Sequence, residues 1–389
     1  MKSFSAMAAI VLLLILSIII SSTSNGVAAQ PRNSNSNITL GSSLTPTGRQ
    51  TAWLSPSGVY AFGFYEQAKG RYDVGIFVAG IPQKPVVWTA NRDDPPLPTS
   101  ATLLLTTDGR LIVQSPQQRE AYIINTSERI ASASMLDTGN FVVYNSDQAI
   151  MWQSFDHPTT TILEGQRLLA GMELFSSISE TDQSTGIFRL KMQADGNLVQ
   201  YPVQTPDAGP YSYWSSATFG RGNNVSLNLD DDGHLYLLNS SGVNIRDISR
   251  GGHDTNGTVY LMKIDSDGIF RLYSYKLLLN QNGNQSVIWV STDDKCDPKG
   301  LCGLNGYCVN EDRDAVCRCL PGFAQVMEGN SSSGCEKDFS TESCKTDHFY
   351  KILFYLEYHK VIEQESNKKK NFYLNNAYSK LTNFLINDN

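Results

Sequence analysis

Apolar residues along this chain come in short runs, and a recurring turn punctuates the runs. Thr107-Asp108-Gly109-Arg110-Leu111-Ile112-Val113 and Leu136-Asp137-Thr138-Gly139-Asn140-Phe141-Val142-Val143 are two examples. Ala194-Asp195-Gly196-Asn197-Leu198-Val199, Asp231-Asp232-Gly233-His234-Leu235-Tyr236-Leu237 and Ser266-Asp267-Gly268-Ile269-Phe270-Arg271-Leu272 are three more. Glycine supplies the positive φ that a tight hairpin needs, and aspartate hydrogen-bonds its own local backbone. No stretch between these turns sustains a helical period, so the pattern predicts an all-β chain of short strands. The repeats form two sets, two near residues 31–150 and three near residues 155–290, with a seam at Met151-Trp152-Gln153-Ser154-Phe155-Asp156-His157-Pro158-Thr159-Thr160-Thr161.

One repeat carries chemistry the others lack. In Gln193-Ala194-Asp195-Gly196-Asn197-Leu198-Val199-Gln200-Tyr201, every second residue falls on one face if the segment is a strand. Gln193, Asp195, Asn197, Val199 and Tyr201 then present a carboxylate, two amides, a phenol and an apolar wall, which suit the hydroxyls and C–H patch of a sugar. No nucleophile or base accompanies them, so the chemistry is recognition. Gln-x-Asp-x-Asn-x-Val-x-Tyr resembles the mannose-binding signature of the bulb-type lectins of monocot plants, and the resemblance implies a three-sheeted β-prism. The corresponding places hold Thr106, Asp108, Arg110, Ile112 and Gln114 in the first repeat, and Asp230, Asp232, His234, Tyr236 and Leu238 in the fourth. In the fifth they hold Asp265, Asp267, Ile269, Arg271 and Tyr273, and in the second Asp137 and Asn140 are spaced by three. A single intact site of this kind binds a monosaccharide at about millimolar, roughly −4 kcal/mol, without the avidity of several sites.

Ser57-Gly58-Val59-Tyr60-Ala61-Phe62-Gly63-Phe64, Val86-Val87-Trp88-Thr89-Ala90-Asn91-Arg92-Asp93 and the seam are similar to segments of the plant G-type lectin S-receptor-like serine/threonine-protein kinases. That resemblance implies two tandem bulb-lectin β-prism domains, at residues 30–151 and 152–290, followed by an EGF-like module at 292–344. Trp53, Trp88, Trp152, Trp214 and Trp289 read as core aromatics rather than sugar platforms. His157, without a serine elbow or a second motif histidine, reads as a packing residue of the junction.

Charge adds an exclusion. With 31 Lys+Arg against 38 Asp+Glu, the net charge of −7 offers nucleic acid or an anionic membrane nothing to bind. Residues 1–29 read as a signal peptide: Lys2, the apolar run Ala8 to Ile20, and Val27-Ala28-Ala29 before Gln30. The expected location is extracellular, or the plasma membrane if the native product continues into a transmembrane helix. Asn37, Asn125, Asn224, Asn239, Asn256, Asn284 and Asn330 each open an Asn-x-Ser/Thr sequon for glycosylation.

The cysteines avoid the first 295 residues and then cluster as Cys296, Cys302, Cys308, Cys317, Cys319 and Cys335, the habit of a disulfide module in an oxidising compartment. Six cysteines allow fifteen pairings, and spacing does not choose among them. With Leu320-Pro321-Gly322-Phe323 after the C-x-C step, the cluster resembles an EGF-like module, which implies Cys296–Cys308, Cys302–Cys317 and Cys319–Cys335. No metal or cofactor is expected: Lys295 in Thr292-Asp293-Asp294-Lys295 puts a cation where a calcium-binding module needs a carboxylate or amide. Cys344 is a seventh cysteine, and the residues from 345 to 389 form an atypical tail read as disordered. No Gly-rich phosphate loop, His-Arg-Asp loop or Asp-Phe-Gly step is present, so this chain is not expected to be an enzyme. The expected partners are a mannose-type glycan or a protein or peptide ligand, and full-length receptor kinases at the plasma membrane. The alternative is that the sequence is an incomplete piece of a membrane serine/threonine receptor kinase.

Overall fold

The computed structural model describes residues 37–116, 120–277, 285–312, 314–327 and 331–338. The signal peptide, Asn284, Asn330, Cys344 and the tail lie outside the described residues. What is described is β structure joined by turns, with three 3-10 turns as its helical elements.

Residues 37–153 form three sheets, two of four strands and one of five. Residues 161–290 form three more, of four strands each. The two sets are wired alike. In the first, Asn37–Thr39 pairs with Ser132–Met135, Ser43–Leu44 with Thr102–Leu105, and Ala52–Leu54 with Tyr60–Ala68. In the second, Thr161–Leu163 pairs with Thr258–Ile264, Arg167–Leu168 with Ser226–Leu229, and Glu173–Ser177 with Thr185–Met192. Each set therefore lays down one strand for each of three sheets, and the chain then completes those sheets in reverse order. All described pairings are antiparallel, as short strands joined by tight turns require.

The recurring turn has one geometry. The amide of Gly196 donates to the carbonyl of Gln193 (3.1 Å), and the amide of Gln193 donates to the carbonyl of Asn197 (2.9 Å). The same two bonds recur around Gly109, Gly139, Gly233 and Gly268. All five glycines lie in the left-handed region, with φ from 77 to 87°, the conformation that completes a three-residue hairpin loop with a bulge. A serine locks four of these hairpins from the next strand. Ser154, Ser216, Ser249 and Ser291 each accept, through Oγ, the amide of Phe141, Leu198, Leu235 or Phe270 at 2.9–3.1 Å.

The alternating inward residues build two cores. Phe62, packed on Phe141 with ring centroids 3.9 Å apart, centres the first; Phe188, Leu190, Leu198, Leu227 and Phe270 belong to the second. Leu163, Val259, Leu261, Tyr273 and Tyr275, all from the second set of strands, are buried in the first core, so the two sets share a continuous apolar contact. Arg92 ties the seam together by donating to the carbonyls of Phe175, Ser176, Gln183 and Ser184 at 2.8–3.2 Å. Trp53 and Trp88 are buried, and the Trp88 indole N–H donates to the His157 carbonyl at 2.7 Å. The His157 ring stacks on Trp152 at 5.1 Å. Trp214 meets Trp289 edge-on at 5.9 Å.

After residue 290 the strands are short and disulfides carry the fold. Cys296–Cys308, Cys302–Cys317 and Cys319–Cys335 are bridged, with Cα atoms 5.2–5.7 Å apart. A unit this small buries little apolar surface, so each bridge contributes about 2–4 kcal/mol. Lys299 docks it on the preceding strands by donating to the carbonyls of Pro210 and Ser212 at 2.8 and 2.7 Å.

Candidate glycan-binding site

The signature is a hairpin, not one strand. Gln193 follows the strand Thr185–Met192, Asp195 and Gly196 form the turn, and Asn197 leads into the strand Leu198–Pro202. The single-face reading is corrected accordingly: the Asp-Gly step reverses the chain, and spacing by two continues on each side of it. The ends still converge, because Gln193 Nε2 donates to the Tyr201 hydroxyl at 3.1 Å. Asp195 spends one oxygen on the turn, where Oδ1 accepts the Asn197 amide at 3.0 Å. Asn197 Oδ1 accepts from the Ser216 hydroxyl (3.2 Å) and the Thr218 amide (3.1 Å), which fixes its orientation. The Asn197 amide nitrogen has no partner among the described residues. Gln193, Asp195 and Asn197 are half-buried at the mouth, and Val199 and Tyr201, each 2% exposed, form the floor.

A charged lattice walls this floor. Pairing places Arg189 opposite Tyr201 and Lys191 opposite Val199. The Arg189 guanidinium lies 4.8 Å from the centre of the Tyr201 ring. Glu173 Oε1 receives Arg189 (3.0 Å) and Lys191 (2.8 Å), and Asp207 receives both again, at 2.8 Å each. Lys191 and Arg189 hold the Asp207 carboxyl below the usual carboxylate range in spite of its desolvation. Burial pushes the Tyr201 phenol up, while the hydrogen bond from Gln193 works against that shift. The lattice leaves Asp195 outside it. The alternation Arg189, Lys191, Gln193 was the signal that these cations share the site's face, since all three are spaced by two.

The first and fifth hairpins hold an internal arginine where this one is open, and the fourth gives both oxygens of Asp232 to the amides of His234 and Gly252. Arg110 bonds Asp108 (2.9 Å) and Glu120 (2.8 Å). His234 meets Asp247 at 2.8 Å and stacks on Tyr236, whose hydroxyl donates to Asp230 at 3.0 Å. Arg271 bonds Asp265 (2.6 Å) and Asp267 (2.7 Å), and Tyr273 also donates to Asp265 at 2.6 Å. The second hairpin corrects the sequence register. Gly139 occupies the place of Gly196, so Thr138, not Asp137, stands where Asp195 does, and Asn140, Val142 and Tyr144 match Asn197, Val199 and Tyr201. Asp137 instead reaches across to Ser57, accepting its amide at 2.8 Å and its hydroxyl at 2.5 Å.

Two concavities of about 30 and 340 Å³ lie elsewhere, near Asp73, Asn91 and Pro95 and along Pro95–Pro98, and the signature lines neither. The candidate site is a shallow surface cradle. Among the described residues no cluster of His, Cys, Asp and Glu is arranged to hold a metal ion, and no helix is long and apolar enough to cross a membrane. Of the sequon asparagines, Asn37, Asn125, Asn224 and Asn256 are exposed; Asn239 is half-buried, its Oδ1 accepting the amides of Ser241 and Val243.

The family model described as D-mannose binding lectin matches residues 85–174, and that of the S-locus glycoprotein domain matches residues 250–327. The G-type lectin S-receptor-like serine/threonine-protein kinase LECRK3 of Oryza sativa subsp. indica is 33% identical over 344 residues, covering 82% of this chain and 42% of that protein. LECRK1 of Oryza sativa subsp. japonica is 35% identical over 338 residues, covering 80% of this chain and 41% of its own length. Its homologues are G-type lectin S-receptor-like serine/threonine-protein kinases. The chain spans about two-fifths of the length of these G-type lectin receptor kinases, and what it matches is their lectin-bearing portion. A solved monomeric mannose-binding lectin of Gastrodia elata is similar at 23% identity and TM-score 0.25, over 34% of this chain and 96% of that one.

Proposed function

We propose that this chain is a glycan-recognising extracellular segment of the G-type lectin receptor kinase type, and that Gln193, Asp195, Asn197, Val199 and Tyr201 form its sugar site. One observation carries the reading: among the described residues Asp195 keeps an oxygen off the turn with Gln193, Asn197 and Tyr201 around it, whereas Asp108 and Asp267 are held by arginines, Asp232 gives both oxygens to backbone amides, and the second hairpin has Thr138 in that place. In this site Asp195 Oδ2 and the free Asn197 amide nitrogen grip neighbouring sugar hydroxyls, Gln193 and Tyr201 reach a third, and Val199 backs the C–H face. Mannose-type glycans are the ligand class, bound singly and weakly, about millimolar per site.

The proposed organisation is a signal peptide at 1–29, lectin domains at 30–151 and 152–290, and an EGF-like connector at 292–344, glycosylated at the sequons. The chain acts by binding and has no catalysis of its own. As a secreted form it competes with, or pairs with, full-length receptor kinases in perception at the plant cell surface. If the native product continues into a membrane helix and a kinase, the same segment is the sensing part of an enzyme, a reading supported by the two-fifths of its relatives' length that the chain spans. Titration of the full chain with methyl α-D-mannoside should show millimolar binding that Asp195→Ala abolishes; equal binding by the two proteins would falsify the site.

A further inference from the structure

The loop that follows the last strand of the signature sheet carries an exposed aromatic residue, Phe219, with 76% of its surface in solvent. Its position is fixed from both sides. The preceding Thr218 donates its amide to Asn197 Oδ1 (3.1 Å) and its hydroxyl to the Gly196 carbonyl (2.7 Å). The following Gly220 donates its amide to the Asp195 carbonyl at 3.0 Å. Phe219 is thus held between two backbone anchors that both land on the turn of the candidate sugar site. Ala217 and Gly220 on either side adopt positive φ, 57° and 72°. The chain accepts a left-handed alanine here, a conformation that L-residues rarely adopt.

Nothing among the described residues explains the ring. No aromatic contact involves it among the described residues, and it belongs to neither core. The serine lock gives a register for comparing the other hairpins. Three residues after Ser216 stands Phe219; three after Ser154, Ser249 and Ser291 stand His157, Gly252 and Asp294. His157 has a structural use, stacked on Trp152. The exposed phenyl ring therefore occurs at the one hairpin whose signature is complete.

We propose that Phe219 extends the site to an oligosaccharide: the first mannose residue occupies the Asp195 cradle, and the C–H face of the next residue packs on the Phe219 ring. This rests on the sugar-site reading above and adds a specificity that the signature does not contain. An exposed, backbone-anchored ring loses little conformational freedom on binding, so most of the burial is retained as affinity. Covering about 50–60 Å² of apolar surface corresponds to roughly a tenfold gain in affinity.

The test compares methyl α-D-mannoside with a mannotriose on the full chain, for the unmodified protein, Phe219→Ala, Phe219→Tyr and Asp195→Ala. The expected result is that the unmodified protein prefers the trisaccharide about tenfold, that Phe219→Ala reduces the preference to about onefold with monosaccharide binding unchanged, and that Phe219→Tyr keeps it. Asp195→Ala should lose both ligands. A trisaccharide preference that survives Phe219→Ala overturns the inference and leaves the sugar site standing. Absence of binding to either sugar by the unmodified, folded protein overturns both.

Discussion

The third and fifth hairpins of this chain share a turn, a serine lock and a sheet position, yet they solve the same electrostatic problem in opposite ways. Each points carboxylates out of the turn. In the fifth, Arg271 stands where the third has Val199, and its guanidinium bonds both Asp265 and Asp267. Desolvation pushes the Asp265 carboxyl up, so this hairpin is a closed, partly buried ion cluster. In the third, the cations Arg189 and Lys191 are drawn aside to Glu173 and Asp207, and Asp195 is left to the turn and to solvent. In this pair the acid is kept in both, and the difference is a cation of the hairpin's own. Self-neutralisation converts recognition into stability.

The largest expected effect breaks that contrast at its closed end. Arg271→Ala leaves Asp265 desolvated beside Asp267 with only the charge of Lys263 to offset it, and should destabilise the protein by about 3 kcal/mol in urea unfolding. Asp195→Ala, by the same measurement, should cost under about 1 kcal/mol, the value of one turn hydrogen bond. Equal losses at the two positions would mean that the third hairpin is sealed as well.

A graft sharpens it. Asp265→Gln, Ile269→Asn and Arg271→Val together write the complete signature into the fifth hairpin while removing cation and buried acid at once. Calorimetric titration with a mannoside should then report two sites per chain instead of one, each near millimolar. An unchanged stoichiometry in a folded variant would show that the turn and five side chains are insufficient, and that flanking loops decide.

The smallest effect is a pH dependence in the frame of the fifth hairpin. Glu164 accepts the Tyr260 amide at 2.7 Å, and burial pushes its carboxyl up to about 7. The unfolded chain releases that proton near pH 4.5, so between about pH 4.5 and 7 the folded state holds more protons and stability falls as pH rises. Asp73, raised to about 6 by burial, acts in the same sense. Glu164→Gln keeps an acceptor for the amide and should flatten the decline in Tm between pH 5 and 7.5. A slope identical to that of the unmodified protein would reassign the dependence to other groups.

How much of this was legible can be judged residue by residue. Four Asp-Gly steps and one Asp-Thr-Gly step marked the hairpins, because a left-handed glycine beside an aspartate has few other uses in a short-strand chain. The identical wiring of the two halves follows from those turns together with strands too short to pair in another register. The serine locks were visible as Trp152-Gln153-Ser154, Trp214-Ser215-Ser216 and Trp289-Val290-Ser291, a second repeat that explains three of the tryptophans, but its meaning needed the bonds to Phe141, Leu198 and Phe270. The register of the second repeat was misread because Asp137 was aligned in place of the residue before glycine; the glycine, not the acid, fixes the loop.

The sequence by itself determined the all-β class, the turns, and the five residue types of the candidate site, since these depend on periods and φ preferences that act over a few residues. Tertiary structure alone decided which hairpin is open. Whether a cation reaches an aspartate depends on the strand opposite and on the loop folded above it: Asp207 drawing Arg189 and Lys191, the turn receiving Thr218 and Gly220, and Phe219 held between them. Charge pairing and exposure are properties of distance in space, and no local pattern encodes them.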